Sequence, residues 1–173
     1  MRVLAGVRVK IRLKKLFLIL TLAILTLGVT VAVSYAELPT KKYLNLAAVK
    51  TMVAAAEAEA QRLHVEVTIC IVDESGNLLF LQKADGAPLI TLQWAQKKAR
   101  HAAFYRSASK EGAEELKKGN LDVLTYPEFF PNQGGLPIQI DGQTIGGIAA
   151  SGAKPEIDEA VVQAALDAFV GKK

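Results

Sequence analysis

The sequence predicts an α+β fold built on an antiparallel sheet, and three observations carry that prediction. First, Asp141-Gly142 stands between two short apolar runs, residues 136–140 and 144–150. Asp-Gly suits a two-residue type I′ turn, whose central residues both need positive φ, so the runs read as a β-hairpin. Second, Asp73-Glu74-Ser75-Gly76-Asn77 separates an alternating run that begins at Val65 from a second run over 78–82. That is another hairpin. Third, the other periodic segments are helical and grouped around these hairpins, without the strand–helix–strand alternation that builds parallel sheets.

The first 36 of the 173 residues belong to none of this. Arg2, Arg8, Lys10, Arg12, Lys14 and Lys15 make a basic start free of acids, and an unbroken apolar run follows over 16–33. Ser34-Tyr35-Ala36 then places small residues at the −3 and −1 positions of a cleavage site. This is the layout of a secretory signal peptide, with export to a periplasm or beyond as its consequence. The apolar run is longer than such regions usually are, which leaves an uncleaved membrane anchor as the alternative. The expected organisation is a leader over 1–36 and one domain over 37–173.

The leader also carries the basic charge. The chain has 21 Lys+Arg, and losing these six leaves 15 against 17 Asp+Glu, a formal charge of −2. No basic stripe with interleaved aromatics occurs elsewhere, so the composition gives no nucleic-acid surface. Cys70 is the single cysteine, which excludes a disulfide framework within the chain, and its apolar surroundings predict an inert buried thiol.

The domain reads in order as follows. Asn45 is a helix N-cap, and Val49, Met52, Val53, Ala56, Ala60 and Leu63 form one apolar face of a helix over 46–63. Val65, Val67, Ile69 and Ile71 alternate with Glu66, Thr68, Cys70 and Val72, a strand whose second half is apolar on both faces. Pro88 is placed in the first turn of a helix that runs to Phe104, with Leu92, Ala95, Ala99, Ala102 and Ala103 on its apolar side. Ser107-Ala108-Ser109 offers caps for a short helix that ends near Gly119. Residues 120–133 lack a period, and Pro127, Pro131, Tyr126, Phe129 and Phe130 make them an irregular loop. Within the later hairpin, Gly146-Gly147 marks a bulge or a close approach to the backbone. Pro155 opens the last helix. Glu156, Asp158 and Glu159 complement its dipole, and Val161, Val162, Ala165, Leu166 and Phe169 form its buried side.

Three blocks resemble one family: Leu46 to Asp73, ending in Val67-Thr68-Ile69-Cys70-Ile71-Val72-Asp73; Asp85-Gly86-Ala87-Pro88-Leu89-Ile90 followed by Ala95-Gln96-Lys97-Lys98-Ala99; and the hairpin with Ser151-Gly152 and Asp158-Glu159. Together they are similar to the GlcG/HbpS-like haem-binding family, related to the C-terminal domain of PduO. The resemblance implies a profilin-like fold, a five-stranded antiparallel sheet with helices on both faces. It also implies a homo-oligomer, haem as cofactor, and a haem-degrading activity attached to the family.

Haem needs an apolar slot, an axial ligand and cations for its propionates. His101, with Arg100 beside it and Lys97 and Lys98 one turn away, is the ligand candidate on chemistry alone; its plainer role is a partly exposed helical histidine. Tyr105 and Tyr126 are oxygen alternatives, and Phe129 and Phe130 candidate walls. His64 reads as a helix-end residue. Asp73 and Asp85 read as turn residues, with a metal site as the sharper alternative. Ser107, Ser109 and Ser151 have no assignable histidine partner, and the glycine-rich stretch over 134–152 has no phosphate-loop lysine or dinucleotide fingerprint. The residues alone therefore specify no enzyme. The leading expectation is an exported protein that holds, buffers or senses haem. The alternatives are a cofactor-free oligomeric module and an enzyme acting on a small oxygenated metabolite.

Overall fold

The computed structural model describes residues 36–171, and the leader with its anchor alternative lies almost wholly outside them. The compact unit begins at Lys41. It contains α1 (Leu46–Arg62), β1 (Thr68–Asp73), β2 (Leu78–Lys83), α2 (Thr91–Tyr105), α3 (Ser109–Lys117), a 3₁₀ turn (Leu121–Thr125), β3 (Gly135–Ile140), β4 (Gln143–Ser151) and α4 (Pro155–Val170).

The two expected hairpins form one antiparallel sheet of order β2-β1-β4-β3. Four strands lie among the described residues, where the resemblance implies five. The β3–β4 turn is built as its sequence requires, with φ of 50° at Asp141 and 76° at Gly142.

Both sheet faces are covered, because β1 and β4 are apolar at successive residues. On one face Ile69, Ile71, Ile148 and Ala150 pack with Met52 and Ala56 of α1 and Val161, Val162 and Ala165 of α4. On the other, Cys70, Val72 and Ala149 meet Ala95, Ala99 and Ala103 of α2. Burial pushes the Cys70 thiol up to about 12.

The alanines on α2 allow a close approach, and Gly147 completes it. A Cβ at Gly147 would stand 2.1 Å from the Ala99 carbonyl oxygen, and one at Gly135 would stand 2.5 Å from that of Lys98. The helix therefore lies directly on the hairpin backbone. Both readings of Gly146-Gly147 are realised: α2 approaches the backbone at Gly147, and the β3–β4 register passes from Ile138 opposite Gly146 to Gln139 opposite Thr144, which leaves Ile145 as an extra residue of β4 beside Gly146.

Local chemistry corrects several boundaries. Asn45 caps α1 as expected, its Oδ1 accepting from the Ala48 N–H at 2.8 Å. Pro88 precedes α2 and does not lie in it: Pro88 to Ile90 form turns that accept from Thr91, Leu92 and Gln93 before the helix proper. Ser109 is not a cap. It is the first residue of α3, and its hydroxyl donates to the Asn132 carbonyl and accepts from the Gly135 N–H. Part of the loop over 120–133 is the 3₁₀ turn.

Candidate functional site

The C-terminal half of α2 carries the candidate site. Three of its side chains reach the same loop. The Arg100 guanidinium pairs with Glu128 at 2.8 Å, the Tyr105 hydroxyl donates to the Pro127 carbonyl at 2.6 Å, and His101 Nδ1 accepts from the Phe130 N–H at 2.9 Å. The loop they hold takes a left-handed turn at Glu128, φ 59°. So the three residues expected at a cofactor site all fasten the aromatic loop to the helix.

Between α2, α3 and that loop lies a cavity of about 340 Å³, lined by His101, Tyr105, Gly112, Val123, Tyr126 and Phe129 among others. Its aromatic wall is continuous. The His101 ring is centred 4.7 Å from Tyr105 and 5.2 Å from Phe129, and Tyr105 meets Phe129 edge-on at 5.9 Å. Gly112 makes room for this packing, since a Cβ there would stand 2.9 Å from the Phe129 ring. Two acids, Glu111 and Glu115, also line the cavity.

His101 is only 1% exposed, unlike the partly exposed helical histidine of the plainer reading. Burial lowers its pKa to about 4, so the ring is neutral at pH 7. A neutral imidazole that accepts through Nδ1 carries its proton on Nε2. Nδ1 is thus committed to the loop, and Nε2 carries the ring proton. Burial, then the neighbouring Tyr126 and Glu128, raise the Tyr105 pKa and oppose formation of its phenolate. The Tyr126 phenol lines the cavity and makes no hydrogen bond among the described residues.

The cations divide. Lys97 stands 5.6 Å from the Phe130 ring centroid, near the loop. Lys98 is not a rim cation: it is 1% exposed and its ammonium binds Asp158 Oδ2 at 2.9 Å and the Ala150 carbonyl at 3.1 Å. Asp158 is likewise more than a dipole partner, since its Oδ1 accepts from the Ala153 N–H. The sequence reading missed this buried pair. The signal was available: Lys98 lies in the apolar stripe of Ala95, Ala99 and Ala102, where a lysine requires a buried partner.

The remaining candidates fall into structural roles. Asp73 accepts from the Ser75 and Asn77 backbone N–H groups and the Asn77 amide. Asp85 is exposed, and its carbonyl is one of three that accept from Lys83 Nζ. Among the described residues, no three His, Cys, Asp or Glu side chains gather as a metal site would need. His64 is exposed, just beyond the end of α1.

Comparison with known proteins agrees with this architecture. Residues 44–167 match the family model described as "Haem degrading protein HbpS-like". Protein GlcG of Escherichia coli (strain K12) is 34% identical over 112 residues, 65% of this chain and 84% of GlcG. The Klebsiella pneumoniae protein ORFY has a similar structure, with a TM-score of 0.73, 28% identity, and coverage of 79% of this chain and 98% of ORFY. A structure described as a PduOC:heme complex aligns with a TM-score of 0.68 at 28% identity, covering 73% of this chain and 95% of that one.

Proposed function

We propose that this chain, which belongs to the HbpS-like family, binds haem in the slot between α2, α3 and the aromatic loop. The observation that carries the reading is the aromatic cavity itself, walled by Tyr105, Val123, Tyr126 and Phe129. Its walls suit a flat apolar ring. The similarity to a haem-bound structure supports the same choice of ligand.

The residues fit haem with one reassignment. Lys97, beside Phe130 of the loop, is the cation available to a propionate; Arg100 is already paired with Glu128, and Lys98 is excluded by its burial. His101 would ligate iron through Nδ1 only by displacing the Phe130 N–H, and through Nε2 only if the ring proton moved to Nδ1, which breaks the same bond. Tyr126 requires no such change, because its oxygen is uncommitted and tyrosine is an established haem ligand. We therefore assign iron ligation to Tyr126, with His101, Arg100 and Tyr105 setting the slot by holding the loop. The bound group supplies the iron chemistry; the chain holds, buffers or senses it. Haem degradation, named in the family description, stands as a secondary activity of the same slot.

The test is a haemin titration of the full chain followed by absorbance, with Tyr126→Phe and His101→Ala alongside. A saturable Soret shift that changes character in Tyr126→Phe supports the assignment. A shift altered only in His101→Ala returns the ligand to His101. No saturable shift at micromolar protein leaves the cofactor-free module as the better account.

We infer further that the protein is exported through its leader and assembles with itself. The leader pattern over 1–36 supports export, and mature protein beginning at Glu37 in mass spectrometry is the expected result. Edge strand β2 exposes Leu78 and Leu79, which supports assembly. Light scattering on the purified chain should give an even multiple of the protomer mass.

A further inference from the structure

A second cavity, of about 390 Å³, opens where the starts of α2 and α4 meet the end of β4. Among the described residues, it shares no lining residue with the aromatic slot. Its walls include four polar side chains that are almost wholly buried: Lys98 at 1%, Ser151 at 1%, Thr91 at 2% and Asp158 at 2% exposed. Buried polar groups are nearly always hydrogen-bonded, so each can be accounted for in turn.

Thr91 is satisfied. Its hydroxyl shares a hydrogen bond with Thr68 Oγ1 at 2.6 Å and approaches the Pro88 carbonyl at 2.6 Å. Asp158 is satisfied at both oxygens, by Lys98 and by the Ala153 N–H. Lys98 is not. An ammonium has three donors, and two are used, on Ala150 and Asp158. The Ser151 hydroxyl makes no hydrogen bond among the described residues, and neither does the side-chain amide of Asn132, which lines the same cavity. Ile90 and Trp94 also line the cavity, and both are apolar and exposed.

The inventory has a direction. Among the described residues, the only carboxylate lining the cavity is occupied, because Asp158 spends both oxygens on protein donors. What remains open is an ammonium proton, a hydroxyl and an amide. Burial lowers the Lys98 pKa while Asp158 opposes that shift, so the pair stays together as a fixed dipole at the cavity wall.

We propose that this cavity is a binding site for a short-chain organic molecule bearing an oxygen acceptor, a carboxylate or a carbonyl. Lys98, Ser151 and Asn132 hold the oxygen and Trp94 and Ile90 cover the carbon chain. The site lies on the opposite end of α2 from the aromatic slot, and it binds with the slot empty.

Trp94 is the only tryptophan in the chain and lines the cavity, so it reports occupancy directly. The experiment titrates the haem-free full chain with sodium propionate and, separately, with its neutral counterpart propionamide, following Trp94 fluorescence at constant ionic strength. A saturable change in roughly the millimolar range is expected for so small a ligand. Saturation by propionate alone identifies a carboxylate site, and saturation by both identifies a carbonyl site. Ser151→Ala and Asn132→Ala should each weaken binding about fivefold, the loss of one hydrogen bond, with the thermal transition of the free protein little changed. Two variants are used so that a folding defect in one leaves the other informative. No saturable response to either compound up to about 100 mM, far above that range, means the open groups are satisfied by water and overturns the proposal. So does a response that both variants leave intact.

Discussion

The backbone N–H of Phe130 donates to Nδ1 of His101 at 2.9 Å, and the bond holds only while that ring is neutral. Burial sets His101 near 4, against 6.5 for an ordinary histidine. Below pH 6.5 the unfolded chain takes up a proton that the folded chain refuses until about pH 4. Stability from this source is therefore complete above pH 6.5, falls as the pH drops towards 4, and levels off below. The shift corresponds to about 3 kcal/mol. Urea unfolding at pH 7.5, 5.5 and 4.5 should show this loss in the wild type and a flatter dependence in His101→Gln. Identical pH dependence in the two would assign the effect to another group.

The Lys98–Asp158 pair should be expensive to break and cheap to replace. Lys98→Met leaves a carboxylate buried without its partner and should cost about 3–5 kcal/mol. The double variant Lys98→Met with Asp158→Leu removes both charges and should recover most of that loss, apart from the capping bond to Ala153. Denaturant midpoints of the two singles and the double measure the coupling.

Gly147 and Gly142 separate two reasons for glycine. At Gly147 an added Cβ meets the Ala99 carbonyl oxygen at 2.1 Å, so Gly147→Ala must push α2 off the sheet and should cost about 3 kcal/mol or more. At Gly142 nothing lies within 4 Å, and the penalty is only that of φ at +76°, about 1 kcal/mol. Thermal unfolding should rank the two variants in that order.

Asp73 organises the β1–β2 turn. Burial works to raise its carboxyl, but the hydrogen bonds from Asn77 and Ser75, with Lys41 nearby, outweigh that and hold it below the ordinary carboxylate range. Its contribution is present above the unfolded value of 3.8 and is lost as the pH falls through the lower folded value. Asp73→Ala should lower stability by about 1–2 kcal/mol at pH 7, and the deficit should shrink in acid. An unchanged deficit at pH 2 would show that charge is not what matters there.

Much of the fold was legible because its signals are local. Asp141-Gly142 dictates its own turn geometry, Asn45 caps the helix that follows it, and the alternation after Val65 needs no distant residue to be read. The site was harder because its meaning lies in partners far along the chain. His101 was named from sequence, but its neutral state and its bond to Phe130 depend on a contact across 29 positions. Lys98 and Asp158 are separated by 60 positions, and local reasoning gave only a cation near His101 and an acid at a helix start. Ser109 was read as a cap for the same reason: its partners Asn132 and Gly135 lie across the loop.

The isolation of Cys70 has a practical consequence. With its thiol raised to about 12, on the order of one molecule in 10⁵ carries the reactive thiolate at pH 7. The folded protein can be handled in air without a reductant. A cysteine introduced on the surface, in the exposed Leu121–Thr125 segment for instance, would be the only site open to a maleimide dye or a spin label. Movement of the aromatic loop can then be followed from one defined position, with the native residue left in place.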